Sequence, residues 1–312
     1  MPRGVIPNND TFKIISRVIE PILSALSLVA NSVIIIAFVR CRKLRSNTSG
    51  SGYNLLLVFL AIADLLYVLV TVPVAALVHY GYPKNFYGCL ILTSSTRIPI
   101  LLTVSTLLII AVDRFVSIRW PFKHEQYCSK PRLITSVILL WVVDVSVCSL
   151  PLAGFNKGWN SAGVCSFPRI VDIHIRMYTT IFALILPSLF VICVIYGYTF
   201  YVIVKMSNTV AAGPVNNDAE NRRKTFVAAK KCGIIVLAFV VCILPIDVKV
   251  MFDAYLGFRC SACMRMLSWG LLFHGFICPI IYLYQNKLLR TVVLLTLRCR
   301  RIDEHQLALD GS

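Results

Sequence analysis

Charge is scarce in this chain. Only 14% of its 312 residues are Asp, Glu, Lys or Arg, and 58% are hydrophobic, which excludes a soluble domain of this size and points to a membrane protein. Catalytic signatures are missing as well. There is no His-Glu-x-x-His, no convincing nucleophile motif and no phosphate-binding loop, so an integral membrane enzyme is disfavoured. Nor is there an internal repeat or a pair of broken helices of the kind that transporters carry. A cleavable signal peptide is not expected, because the first apolar run is too long for an h-region and lacks a small-residue cleavage site.

What the sequence does have is long apolar runs. They lie near residues 18–40, 53–78, 86–119, 133–152, 175–205, 225–255 and 264–284, each able to cross about 30 Å of hydrocarbon. The formal net charge of +17 could suggest nucleic acid, so the placement of the 31 basic residues decides the matter. With the N-terminus outside, 20 fall on cytosolic segments, nine fall outside, and two, Arg97 and Lys249, lie within spans. That asymmetry follows the positive-inside rule and needs no nucleic acid.

Polar residues inside the spans carry the next clues. Asn31 sits in the run Leu28-Val29-Ala30-Asn31, and Asp64 in Leu60-Ala61-Ile62-Ala63-Asp64. An intramembrane amide or acid must find partners, so both should face neighbouring helices, as helix glue or as functional groups. The third span opens at Cys89 and closes on Asp113-Arg114-Phe115, with Arg114 25 positions after Cys89. A second outer cysteine, Cys165, precedes Phe167 and Arg169. Trp141 and Pro151 mark the fourth span, Pro187 the fifth, Cys242-Ile243-Leu244-Pro245 the sixth, and Cys278-Pro279-Ile280-Ile281-Tyr282 the seventh. In this register the chain resembles the rhodopsin-like (class A) G-protein-coupled receptors, with local similarity to adenosine, melatonin-like and medium-chain fatty-acid receptors.

The resemblance implies an all-α membrane protein: a seven-transmembrane helix bundle with a short amphipathic eighth helix. It implies a Cys89–Cys165 disulfide, G-protein coupling through Asp113, Arg114 and Phe115, and a packing switch at Val104, Pro187, Phe239, Ile243 and Pro245. It also implies a network of Asn31, Asp64, Thr103, His274, Cys278 and Tyr282, where many family members hold sodium. Here the family's Asn-Pro-x-x-Tyr begins with Cys278, and His274 stands where an Asn is common; a thiol and an imidazole suit a hard cation poorly, so sodium at Asp64 is disfavoured. The usual helix-six Trp is Ile243, and the acid that often locks the helix-three Arg is Thr225. Arg114 is then expected to rely on Asp113 alone.

For the ligand, the outer half of the bundle holds Arg97, Asp247 and Lys249, charges that hydrocarbon would not tolerate without partners. Two readings stay open. Arg97 and Asp247 pair and merely shape the cavity, or Arg97, with Arg169 or Lys249, forks an anion while Phe167 covers an apolar tail. An amine is disfavoured, since no carboxylate stands near Pro99–Ile100, and an opsin is disfavoured, since the seventh span has no lysine. Purine recognition is weakened by Val250, where adenosine receptors place an amide. The rival from another class is a transporter or channel with Arg97, Asp247 and Asp64 along a polar path.

Cys260 and Cys263 flank the last outer loop; two sulfurs in an oxidising setting favour a small disulfide over zinc. Asn9 opens a glycosylation sequon, and Cys299 follows the amphipathic stretch as a palmitoylation candidate. The expected organisation is an extracellular tail at 1–17, the bundle at 18–284, a membrane-surface helix at 285–298 and a cytoplasmic tail at 299–312. The expected setting is the plasma membrane, with lipids, a heterotrimeric G protein and an extracellular small-molecule agonist as partners and no resident cofactor.

Overall fold

The computed structural model describes residues 10–45, 51–159, 165, 170–172, 174, 177–210, 217–256 and 260–297. Among them are seven helices long and apolar enough to cross a membrane: α1 (Ile15–Arg40), α2 (Gly52–Val78), α3 (Phe86–Arg119), α4 (Lys130–Cys148), α5 (Met177–Val202), α6 (Gly233–Leu256) and α7 (Met266–Tyr284). A shorter helix, α8 (Lys287–Leu297), follows. Large apolar side chains such as Leu139, Val142, Phe190, Val194, Leu237 and Val241 point outward. Facing lipid costs them nothing, while the helices satisfy their own backbone groups, as hydrocarbon demands.

Of the seven, α3 is the most buried. It packs against α2, α4, α5 and α6, while α1 packs on α2, α7 and α8. One apolar core results, in which Leu57, Leu60, Leu101, Val104, Leu107, Ile110, Phe239, Ile243 and Tyr282 meet. The third span thus touches four neighbouring spans.

Three spans depart from regular α-helix, each near a proline. α2 contains a π-helical turn, Tyr67–Thr71, in which the Val72 N–H donates to the Tyr67 carbonyl, just before Pro73. α3 is not one continuous helix: Phe86–Ser95 and Ile98–Arg119 are separate, with Pro99 at the start of the second piece. α5 opens as a π-helix, Met177–Ile185, ahead of Pro187. Proline lacks an N–H and its ring crowds the carbonyl four residues back, so the chain widens or breaks there. The first two departures are joined, because Thr71 Oγ1 donates to the Thr96 carbonyl at 3.0 Å.

Helix ends carry their own signals. Asn85 starts α3, its side-chain oxygen accepting from the Gly88 N–H at 2.7 Å. The α6 helix continues inward as part of a 40-residue helix, Asn217–Leu256, roughly 60 Å long and twice the hydrocarbon thickness. Asn286 turns the chain from α7 into α8: its Oδ1 accepts from the Leu289 N–H, and its Nδ2 donates to Asn54 on α2 at 3.1 Å. Leu289, Val292 and Val293 then bury one face of α8 while Leu294 and Leu297 stay exposed, the pattern of a helix lying on a membrane surface.

Candidate functional site

At the inner end of α3, Asp113 is buried and works on both its oxygens. Arg114 Nε donates to Oδ2 at 2.9 Å and Arg114 Nη2 pairs with the same atom, while His124 Nε2 lies 2.9 Å from Oδ1. The Arg114 guanidinium also lies 4.8 Å over the ring of Tyr53 on α2, a cation–π contact. This corrects the expectation that Arg114 relies on Asp113 alone. Phe115 packs edge-on against Trp120 at 5.8 Å and against Tyr198 on α5 at 5.5 Å. Beyond them the inner loop exposes Phe122 almost completely, at 99%. Cys128 closes this end: burial first and the Asp113 charge second push its thiol up to about 11, so it stays protonated at neutral pH.

Midway through the bundle, Asn31 Nδ2 donates to the Gly275 carbonyl at 2.7 Å and to the Ser27 carbonyl at 2.9 Å. This ties α1 to α7 through a point of close approach, since a Cβ on Gly275 would come within 2.7 Å of Ser27 Oγ. Asp64, on α2, faces His274 Nδ1 at 3.9 Å. The other ring nitrogen of His274 lies 3.0 Å from Cys278 Sγ, and the ring packs edge-on against Phe239 at 4.9 Å. Of the network residues, Thr103 gives its proton to the Pro99 carbonyl on its own helix, and Tyr282 is buried in the core. His274 thus connects the acid of α2 to the buried aromatic of α6.

The outer end is less complete. Arg97, at the break in α3, lines a cavity of about 30 Å³ with Thr93, Ser94, Cys148, Thr179 and Thr180, between α3, α4 and α5. On α6, Asp247 is buried, and the buried Lys249 pairs with Asp253 one turn on. Phe167, Arg169, Asn9 and Cys299 lie outside the described residues. Disulfides join Cys89 to Cys165 and Cys260 to Cys263, the first tying the outer end of α3 to the loop ahead of α5. Of the switch residues, Val104, Phe239 and Ile243 share one buried core, with Pro245 inside the α6 helix and Pro187 inside that of α5.

Four participants escaped the reading of the sequence. Tyr53, His124 and Cys128 belong to the inner cluster, and none stands out in a motif. The fourth is Asp144 of α4, buried, whose Oδ2 accepts from Ser105 Oγ on α3 at 2.5 Å. A carboxylate within an apolar run was signal enough to find it.

Residues 30–282 match the family described as 7 transmembrane receptor (rhodopsin family). Among known proteins, the chain is similar to adenosine receptor A3 of Ovis aries, 26% identical over 300 residues, covering 93% of this chain and 92% of that one. It is also 26% identical over 293 residues to adenosine receptor A2b of Homo sapiens, covering 86% and 85%.

Proposed function

This chain belongs to the rhodopsin family of seven-transmembrane receptors, and from that premise we propose that it carries an extracellular small-molecule signal across the plasma membrane to heterotrimeric G proteins. The observation that carries the reading is Arg114, held between Asp113 and Tyr53 at the inner end of the most buried helix. An agonist acts by favouring an arrangement in which α6 swings outward and uncovers this site; only a difference in its affinity for the two arrangements achieves that. Phe122, exposed beside the site, offers an apolar anchor to the G-protein α subunit. The two disulfides support an extracellular N-terminus, because both lie at the end of the bundle opposite Arg114, the side on which such bonds persist. Receptor membership also leaves the polar-path transporter without support.

The agonist class is an anion with an apolar portion. Arg97 supplies a fork for a carboxylate or phosphate, and the hydroxyls of Ser94, Thr179 and Thr180 line the same cavity. Its cavity holds about 30 Å³, against several hundred for a ligand pocket, so α3, α4 and α5 separate when the agonist enters. The break at Arg97 and the π-turn of α5 are where those helices give. The relatives named adenosine receptors raise a nucleoside as the competing agonist; against it, Val250 is buried with Met177 and Ile181 and offers no amide. In the middle of the bundle, His274 rather than sodium serves Asp64, and signalling unchanged by pH would contradict that assignment. Glycosylation at Asn9 and acylation at Cys299 complete the proposal, and intact-mass measurement reads both.

The test is nucleotide exchange on purified G proteins by the receptor in lipid, with medium-chain carboxylates, their methyl esters and adenosine as three arms. Stimulation by the acids alone supports the anion site. Stimulation by adenosine alone replaces it with the nucleoside reading, and equal response to acids and esters removes the role of Arg97.

A further inference from the structure

The inner end of α3 gathers three different donor chemistries at one point. Asp113, His124 and Cys128 each offer a ligand atom, and the three atoms lie within 4.8 Å of one another. The arrangement is built by the backbone. His124 opens a one-turn helix, His124–Tyr127, and the Cys128 N–H donates to the His124 carbonyl at 2.7 Å, so residues four apart share one face. That face is laid against the last turns of α3, where Asp113 is buried. The two oxygens of Asp113 divide their work: Oδ2 serves Arg114, and Oδ1 faces His124.

We propose that Asp113, through Oδ1, together with His124 and Cys128 forms a Zn²⁺ site at the cytosolic mouth of the bundle. A carboxylate oxygen, an imidazole nitrogen and a thiolate sulfur are the donors that zinc takes, and three protein ligands leave the fourth tetrahedral position to water. Bond lengths of about 2.0–2.3 Å place tetrahedral ligands roughly 3.4–3.8 Å apart. The His124–Asp113 contact of 2.9 Å must open slightly and Cys128 must close in, both within the reach of side-chain rotation on a short loop helix. The ion displaces the thiol proton to solvent and takes the sulfur as thiolate. Positive charge on Oδ1 then weakens the hold of the same carboxylate on Arg114. Only this last consequence rests on the coupling role proposed for Arg114.

Co²⁺ titration of the purified full-length receptor, free of any histidine tag and in lipid nanodiscs, tests the site by absorption. The expected result is one Co²⁺ bound with tetrahedral bands and a thiolate charge-transfer band, displaced by Zn²⁺. Cys128→Ser should remove the charge-transfer band and His124→Ala should weaken binding at least tenfold, whereas Cys193→Ser, at an exposed cysteine of α5, should change neither. If Cys128→Ser does not fold, His124→Gln on the inner loop gives the same tenfold reading. An absent tetrahedral spectrum, or one that survives these substitutions, overturns the proposal. A second arm compares basal nucleotide exchange with Zn²⁺ and with chelator; a twofold or larger change in the wild type that vanishes in His124→Ala supports the link to Arg114. Because the spectrum needs no G protein, failure of coupling alone leaves the metal site standing.

Discussion

At the Arg114 end of the bundle Asp113, Arg114, His124 and Tyr53 already touch, whereas at the opposite end Arg97 borders a cavity of only about 30 Å³. The inner group draws on one helix end, a short loop and one ring from α2. The outer group draws on α3, α4 and α5 around that small cavity. The difference bears on where, under the proposed function, the energy of a ligand goes: into opening the outer mouth, with the packing around α3 linking it to an inner site already assembled.

The comparison can be broken most severely through the outer scaffold. Cys165→Ser opens a disulfide that closes a 76-residue separation, at a cost of about 2–5 kcal/mol. Surface expression should fall several-fold, and full retention would mean that the outer mouth does not need this tie. Next comes the middle of the bundle: Gly275→Val drives a side chain into Ser27 and strains the Asn31 contact, for about 1–3 kcal/mol. Thermal unfolding of the purified receptor should shift downward by several degrees, and an unchanged midpoint would deny the close approach of α1 and α7.

Smaller effects sharpen the contrast between the mouths. Arg97→Ala should raise the concentration of carboxylate agonist needed for half-maximal exchange at least tenfold, about 1.4 kcal/mol of lost charge-assisted hydrogen bonding. Tyr53→Leu, at the opposite end, removes only the ring beneath Arg114, worth about 0.5–1 kcal/mol. Basal exchange without any agonist should rise two- to fivefold. Should the two variants act on the same parameter, the division into a ligand mouth and a release mouth would fail.

How much of this was legible before the structure depended on the physics involved. The spans could be read because hydrocarbon imposes a length and removes charge, while the crowding of lysines and arginines onto one set of loops supports the proposed orientation. Cys89, Asp113 and Arg114 stood out because a single apolar span carries all three at fixed sequence spacing. The bends did not, since a proline marks a weak point without saying whether the helix breaks, as at Pro99, or widens, as beside Pro73 and Pro187. Tyr53 over Arg114 depends on how α2 is rotated against α3, and His124 on Asp113 depends on the path of a loop; neither follows from spacing. Asp144 is the instructive case, because its burial in an apolar run was visible and its partner Ser105 was not.

Arg114→Ala tests the central claim most directly, by nucleotide exchange on a panel of purified G proteins with the wild-type and variant receptors compared at equal amounts in lipid. The account predicts measurable exchange by the wild type, with or without carboxylate agonist, and a loss of at least tenfold in a variant that still folds and still binds agonist. Exchange that persists undiminished in the variant would contradict it.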